Sequence, residues 1–292
     1  RRDLANAVKG VRDQLLHVAN RGDGSGGWIF GAQGSSSPPF ADAPGGVQYR
    51  GTQGVSLAAS DEPLPLTADG GEIFLRGWSG NGTFVTEPAA TNGRDAWIDA
   101  GRVSDPSAVT GDPYELVFTN GPTGTTYAVL RDGAATAVTA QPYVAGQAIE
   151  FDGLSVVVQG TPSDGDRFSL TPAGRDLSIF DALDRTIAEL GTPGRSGAQV
   201  TQTVQTALRD IDAGLSSLIG ERSRLGEVLN RTDAVEERIA DAKLLAQTER
   251  SAAEDIDMVE AVSTFSTRQT SYDAALKAYS MVQKLSLFDY IR

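Results

Sequence analysis

Residues 204–232 read VQTALRDIDAGLSSLIGERSRLGEVLNRT, and their spacing decides what kind of molecule this is. Val204, Leu208, Ile211, Leu215, Leu218, Arg222, Leu225, Leu229 and Thr232 fall alternately four and three residues apart, the period of a coiled-coil seam. After one shortened step, Val235, Ile239, Ala242 and Ala246 resume the alternation. A polar break follows near Glu249 to Glu254. The stripe then starts again with Val259, Val262, Phe265, Gln269, Tyr272, Leu276, Tyr279 and Val282, and closes on Leu285-Ser286-Leu287-Phe288. No proline occurs from Gly197 to Arg292, so nothing in the sequence interrupts helical geometry there. A single helix over Gln199 to Gln247 is expected, roughly 75 Å long at 1.5 Å per residue. Such a seam needs another helix to bury it, which places function in helix-helix association and not in a catalytic cleft.

At 292 residues with 40% apolar content, the chain has material for two domains with separate cores. It has no cysteine, which removes disulfides, thiolate metal sites and cysteine nucleophiles. A thiol-free chain also suits export in an unfolded state, because no sulfur can crosslink on the way. The net charge of −13 is concentrated in the middle: between Gly45 and Pro172, fifteen Asp and Glu face six Arg, a balance of −9. Nucleic-acid binding needs a basic stripe that releases phosphate counterions, so no nucleic-acid partner is expected. No run of eighteen apolar residues exists, so no membrane partner is expected either. Arg1-Arg2-Asp3-Leu4 has neither an initiator Met nor an apolar signal core, and is expected to enter partway into a helix of a longer natural chain.

Upstream of the seam the texture changes twice. Leu4, Val8, Val11, Leu15 and Val18 make one amphipathic helix over about Arg1 to Arg21, ended by Gly22, Gly24, Gly26 and Gly27. Trp28-Ile29-Phe30 forms an apolar anchor, and Pro38-Pro39 opens an extended passage. From about Val47 short apolar runs alternate with Asn81-Gly82, Asn92-Gly93, Asn120-Gly121, Asp132-Gly133 and Asp152-Gly153, dipeptides that suit hairpins because both central residues need positive φ. Strands are expected at 72–75, 83–86, 114–119, 125–130, 148–151, 154–159 and 167–171. Helical texture returns at Leu177, Ile179, Phe180, Leu183 and Ile187, with Asp176 or Ser178 as N-cap. The fold class is therefore α+β: an elongated antiparallel helical bundle or coiled-coil stem built from residues 1–44 and 175–292, with a β-rich head domain, 45–174, inserted into it. Gly214, Gly220 and Gly226 each cost the long helix on the order of 1 kcal/mol against Ala, and either allow a neighbouring helix to approach, permit gentle curvature or are simply tolerated.

Candidate chemistry is thin. The one histidine, His17, has no Gly-x-Ser-x-Gly elbow or other nucleophile context to serve. Gly22-Asp23-Gly24-Ser25-Gly26-Gly27 follows a helix and lacks the lysine of a phosphate loop. The carboxylates of Glu254-Asp255-Ile256-Asp257 lack EF-hand spacing and are explained by a helix start. The sequons at Asn81 and Asn230 predict no modification. No enzyme activity, metal or cofactor is expected. An adhesive, glycan-binding head would have to expose Trp78, Trp97 and Tyr143, which read better as core residues. The terminal apolar patch Leu285-Ser286-Leu287-Phe288-Asp289-Tyr290-Ile291 is a liability on a free monomer and is expected to dock on a partner.

Three stretches carry a family likeness: Val11-Arg12-Asp13-Gln14-Leu15-Leu16 to Ala19-Asn20; Asp23-Gly24-Ser25-Gly26 with Trp28-Ile29-Phe30-Gly31 and Pro38-Pro39-Phe40; and Ser271-Tyr272 through Ala278-Tyr279 to Leu285-Ser286-Leu287-Phe288. In this order, around a β head, they resemble the hook-filament junction family of bacterial flagella, hook-associated protein 3, within the flagellin superfamily. Flagellin itself is the nearest alternative, but Met281-Val282-Gln283 and Phe288 depart from the usual flagellin tail. The resemblance implies a secreted structural adaptor at the hook-filament junction. Its implied partners are a hook-side junction protein, flagellin, further copies in a ring, and an export chaperone at the C-terminal segment. Leu276, Tyr279, Val282, Leu285, Leu287 and Phe288 are the implied protein-protein contacts. The family also carries an earlier N-terminal helix that pairs with the C-terminal one, so the seam is expected to be partly unpaired, frayed or engaged with another molecule here.

Overall fold

The computed structural model describes residues 1–35, 37–54, 56–57, 64–65, 67–254 and 257–284. They form an α+β chain of two compact units, Arg1–Leu229 and Asn230–Arg292. In the first, the elements run α1 (Arg2–Ala19), β1 (Phe40–Ala43), β2 (Gly46–Tyr49), α2 (Gly70–Phe74), β3 (Gly77–Trp78), β4 (Phe84–Pro88), β5 (Ala96–Ile98), β6 (Arg102–Val103), β7 (Tyr114–Gly121), β8 (Gly124–Arg131), β9 (Ala134–Ala135), β10 (Gln141–Pro142), β11 (Ala148–Phe151), β12 (Leu154–Gly160), β13 (Arg167–Pro172), β14 (Arg175–Leu177) and α3 (Ile179–Gly191). A long helix, α4 (Gly197–Glu254), starts here and continues into the second unit, which also holds α5 (Met258–Lys284).

The β-rich part is antiparallel throughout. One sheet orders its strands β10-β8-β7-β13-β4 with β9 added beside β8, and another runs β11-β12-β5 with β6 on β12. On β7, Tyr114, Leu116 and Phe118 are buried at every second position, as the pleat requires when one face meets a core. They meet Val129 from β8, Phe168 and Leu170 from β13, and Val156 and Val158 from β12, so both sheets close on one apolar cluster. Phe118 holds Phe168 and Tyr143 edge-on, at ring separations of 5.8 and 5.2 Å. Two of the anticipated turns form as read: Asp132-Gly133 joins β8 to β9 and Asp152-Gly153 joins β11 to β12, all four residues at positive φ. Asn120-Gly121 instead stays in β7, paired across the hairpin with Thr125 and Gly124. The turn there falls on Pro122-Thr123, and the Asn120 side chain accepts a hydrogen bond from Thr125 Oγ1 at 2.7 Å.

A second core gathers Ala19, Phe40, Val47, Ala68, Ile73, Phe74 and Phe180. Asn20, just past α1, fastens the extended passage to the helix. Its amide donates to Phe40 O and accepts from Phe40 N, both at 2.8 Å, so a side chain stands in for a strand partner. Residues 72–75, expected as a strand, lie in and just after α2. The Asp69 carboxylate accepts from the backbone of Gly71 and Glu72 at 2.9 and 3.3 Å and starts a helix there, which then buries Ile73 and Phe74 side by side. Ser178, one of the two anticipated caps, accepts from Asp181 N at the start of α3.

Candidate assembly surface

α1 carries two stripes with a seven-residue step. Ala5, Arg12 and Ala19 are buried; Leu4, Val11 and Val18, each one position earlier, are exposed. Adjacent helical positions point about 100° apart, so these are different sides of the helix. The inward side is small because α1 packs closely on α3. Leu15 and Leu16 pack partly buried against the second core, and the one long residue that is fully buried, Arg12, fills a four-hydrogen-bond clamp. Nη1 and Nη2 donate to the Asp42 carboxylate at 2.6 and 2.7 Å, while Nε and Nη2 donate to Asp184 at 2.9 and 3.1 Å. One guanidinium thus ties α1 to β1 and α3. The Asp42 hydrogen bond raises the Arg12 pKa, against desolvation and with help from Asp184, and Arg12 in turn holds the Asp42 carboxyl below the ordinary carboxylate range.

The first part of α4 repeats this arrangement. Its buried residues are Gln202, Thr203, Ala207, Arg209, Asp210 and Gly214, while Leu208, Ile211, Leu215 and Leu218 of the apolar seam are exposed. Each buried polar group is satisfied. Gln202 Oε1 accepts from Ile98 N of β5 at 2.8 Å, and Thr203 Oγ1 donates to Glu189 of α3 at 2.6 Å. Arg209 donates to Thr86 O of β4 at 2.8 Å and to the neighbouring Asp210 carboxylate at 2.9 Å. Among the described residues no buried side-chain nitrogen or oxygen lacks a partner. At Gly214 an added Cβ would lie 3.0 Å from Ile179 Cδ1, so this glycine does allow α3 to approach. Gly220 and Gly226 have open space and serve no such contact. The helix therefore docks on its own chain through hydrogen bonds and small residues, and turns its leucines outward.

In the second unit the exposure is greater. Ile239, Leu244 and Leu245 of α4 are exposed and α5 has no buried residue, with Val259 at 81% and Phe265 at 69%. Of the six contacts expected from sequence, Leu276, Tyr279 and Val282 stand at successive steps of three along α5 and are 50, 63 and 66% exposed. Leu285, Leu287 and Phe288 lie outside the described residues. Contiguous apolar exposure of this kind marks a surface made to be covered.

The remaining singled-out residues fall elsewhere. His17 is exposed on α1. Asp23 accepts from Ser25 N and Gly27 N at 2.8 and 2.9 Å, closing the glycine-rich loop on itself and lowering its own pKa. Asp257 caps α5 through Val259 N and Glu260 N. Tyr143 packs against the head core and Trp97 is half-buried, whereas Trp78 is exposed on β3. Among the described residues no three His, Cys, Asp or Glu side chains converge as metal ligands, and no helix is long and apolar enough to cross a membrane. Sequence reasoning missed the Arg12 clamp and the inward stripe of α4. The one available signal was the Ala5, Arg12, Ala19 spacing, which echoes the apolar stripe one residue away.

Residues 88–172 match the family described as flagellar hook-associated protein 1, D2-like domain, and residues 201–291 match the bacterial flagellin C-terminal helical region. A flagellar hook-associated protein 3 of Escherichia coli K12 is 23% identical over 292 residues, covering 99% of this chain and 65% of its own length. This chain thus spans just under two thirds of that relative. The crystal structure of hook-associated protein 3 from Legionella pneumophila superposes with a TM-score of 0.79 at 28% identity, over 88% of this chain and 82% of that one. A FlgL structure from Xanthomonas campestris gives a TM-score of 0.74 at 26% identity, over 86% and 82%. The chain resembles the flagellar hook-filament junction proteins in sequence and in fold. The two matched regions correspond to the β-rich head and to the helices whose apolar stripe is uncovered. The relatives named here are structural proteins of the flagellum.

Proposed function

We propose that this chain is the greater part of a secreted hook-filament junction protein that works by helix-helix association and not by catalysis. One observation carries the reading: Leu4, Val11 and Val18 of α1, Leu208, Ile211, Leu215 and Leu218 of α4 and the large apolar side chains of α5 are exposed, whereas the fully buried positions of α1 and of α4 are small or polar. A stripe with heptad spacing is covered by another helix in a finished assembly. The coverings are taken to be other helical segments of the same protein, neighbouring copies in a ring, a hook-side junction protein on one side and flagellin on the other. Before assembly, an export chaperone would shield the C-terminal segment that includes Leu276, Tyr279 and Val282 and continues to Leu285, Leu287 and Phe288. The helical stem, 1–44 with 175–292, transmits load, and the head, 45–174, projects from it. In support of that division, one apolar cluster lies wholly between Phe84 and Leu170. The passage from Phe40 to Phe74, by contrast, shares its core with α1 and α3, which favours a head that begins nearer Phe84 than residue 45.

The test is electron microscopy of isolated hook-basal bodies carrying the tagged natural-length protein. The parent protein is expected to decorate the hook tip, and Leu276→Asp combined with Val282→Asp to abolish decoration without changing the helical circular dichroism of the secreted protein. Normal decoration by the double variant would remove these residues from the interface. A parent protein found elsewhere on the cell would overturn the whole reading.

A further inference from the structure

The chain enters the head through β3 and leaves it through β14, and these two short strands pair as a neck. Trp78 faces Arg175, Gly77 faces Leu177, and Ser79 N donates to Gly174 O at 2.9 Å. Such a ribbon is a weak attachment, because two strands alone are marginally stable and twist readily. A second attachment lies at the sheet edges. β4 is the last strand of one sheet and β5 the last of the other. Ala89 N donates to Arg167 O and Asp99 N to Val157 O, so the antiparallel alternation turns the backbone groups of Thr86 and Ile98 away from their ladders, toward the open edges. α4 meets both.

Ile98 N donates to Gln202 Oε1 and Arg209 Nη1 donates to Thr86 O, each at 2.8 Å. Ser196, just before α4, donates through Oγ to Arg94 O. Farther along, α4 touches the neck: an added Cβ on Gly77 would lie 3.1 Å from Ser217 Oγ. From 196 to 217 is about 30 Å of helix at 1.5 Å per residue, so α4 runs along the head from its neck to both sheet edges. Among the described residues the head's apolar cluster, Phe84 to Leu170, takes no side chain from α4. The joint is therefore polar, and relative motion is the default for two bodies that meet through a polar surface. What opposes motion here is geometry. Hydrogen bonds of this length are lost with a shift of about an ångström, and Gln202, Arg209, Thr86 and Ile98 are all buried, so a displaced helix leaves them without partners until water arrives. We propose that Gln202 and Arg209 are positioning residues that lock the head to α4, so that it turns with the helix carrying the outward leucines and does not swing on its neck. The mechanical use of this lock rests on the load-bearing reading of the stem. The lock itself is measured on the chain alone, so a failure of junction assembly would leave it standing.

Because the chain has no cysteine, two introduced thiols can carry nitroxide labels without background. Ala134→Cys on β9 marks the head and Ser223→Cys marks α4, and both positions are exposed in the first unit. Pulsed electron-electron double resonance on the whole labelled chain reads the spread of distances between them. The parent is expected to give one narrow distribution, and Gln202→Ala combined with Arg209→Met and Asp210→Asn one at least about twofold wider. The third substitution keeps the second from stranding a buried carboxylate. Near-UV circular dichroism should match the parent, because no residue of the head's apolar cluster is changed. Gln202→Ala alone leaves every charge in place and is expected to widen the distribution less; it decides the question if the triple variant loses its near-UV signal. A parent as broad as its variants, or variants as narrow as the parent at the same or another distance, would overturn the proposal.

Discussion

The β-rich head and α5 both carry many apolar side chains but dispose of them in opposite ways. In the head, Phe118, Phe168, Leu116, Val156 and Val158 are wholly withdrawn from solvent into one cluster shared by two sheets. In α5, Val259, Phe265, Tyr272 and Tyr279 are all exposed. The head completes its own core, and a strand's alternation is enough to do so because the facing strands are supplied by the same hairpins. A helix buries a stripe only against another helix; α1 and the first part of α4 make their contacts within the chain on the opposite side, and α5 has no buried residue at all. Stability and assembly are therefore assigned to different residues, which makes them separable by mutation.

The widest separation is expected between two phenylalanines. Phe118→Ala removes a fully buried ring that touches Phe168 and Tyr143, and should destabilise the head by about 3–5 kcal/mol, read as a lowered urea midpoint by tryptophan fluorescence. Phe265→Ala, at an exposed site, should change the isolated chain's stability by no more than about 0.5 kcal/mol. If Phe265→Ala costs as much as Phe118→Ala, α5 is packed in solution and the contrast between the two regions is false.

The Arg12 clamp gives the next largest effect, and it has a pH signature. Arg12→Met leaves Asp42 and Asp184 facing one another without their shared cation, and should cost about 2–3 kcal/mol near neutral pH, less than a fully buried pair because Asp42 is half exposed. Asp42 has a depressed pKa in the folded chain, so its contribution is present above its unfolded value and is lost as pH falls through the folded one. The stability gap between parent and variant should hold above about pH 5 and narrow as pH falls below about 4. A gap that stays constant down to pH 3 would show that Arg12 acts only by filling space.

Much of this was legible in the sequence, for reasons that differ by element. Asp132-Gly133 and Asp152-Gly153 name their hairpins because few other residues accept two consecutive positive φ angles. The seam from Val204 onward announces a helix because periodicity survives any tertiary context. Its orientation was not legible: the spacing of leucines says that they share a side, while Gln202, Thr203, Arg209 and Asp210 determine that the chain uses the other side. The Arg12 partners lie 30 and 172 residues away, so no local pattern could propose them. The α2 segment misled because Glu72-Ile73-Phe74-Leu75 has the composition of a strand, and only the cap at Asp69 makes it helical. The stretch of most interest for assembly, from Leu285 onward, rests on the sequence alone.

The smallest effect tests the same contrast inside one helix. Gly214 and Gly226 carry the same propensity cost, on the order of 1 kcal/mol against Ala, in the same α4. At Gly226 nothing lies within 4 Å of an added Cβ, so Gly226→Ala should recover most of that cost and raise the helix's resistance to hydrogen exchange around position 226. At Gly214 the new methyl meets Ile179 Cδ1 at 3.0 Å, closer than ordinary van der Waals contact. Gly214→Ala should therefore gain nothing, or lose a few tenths of a kcal/mol, until Ile179→Val makes room. If both glycines respond alike, the docking of α4 on α3 is looser than these distances require. If only Gly226 gains, the inner end of α4 is a fitted joint and its outer part is a helix still awaiting its neighbour.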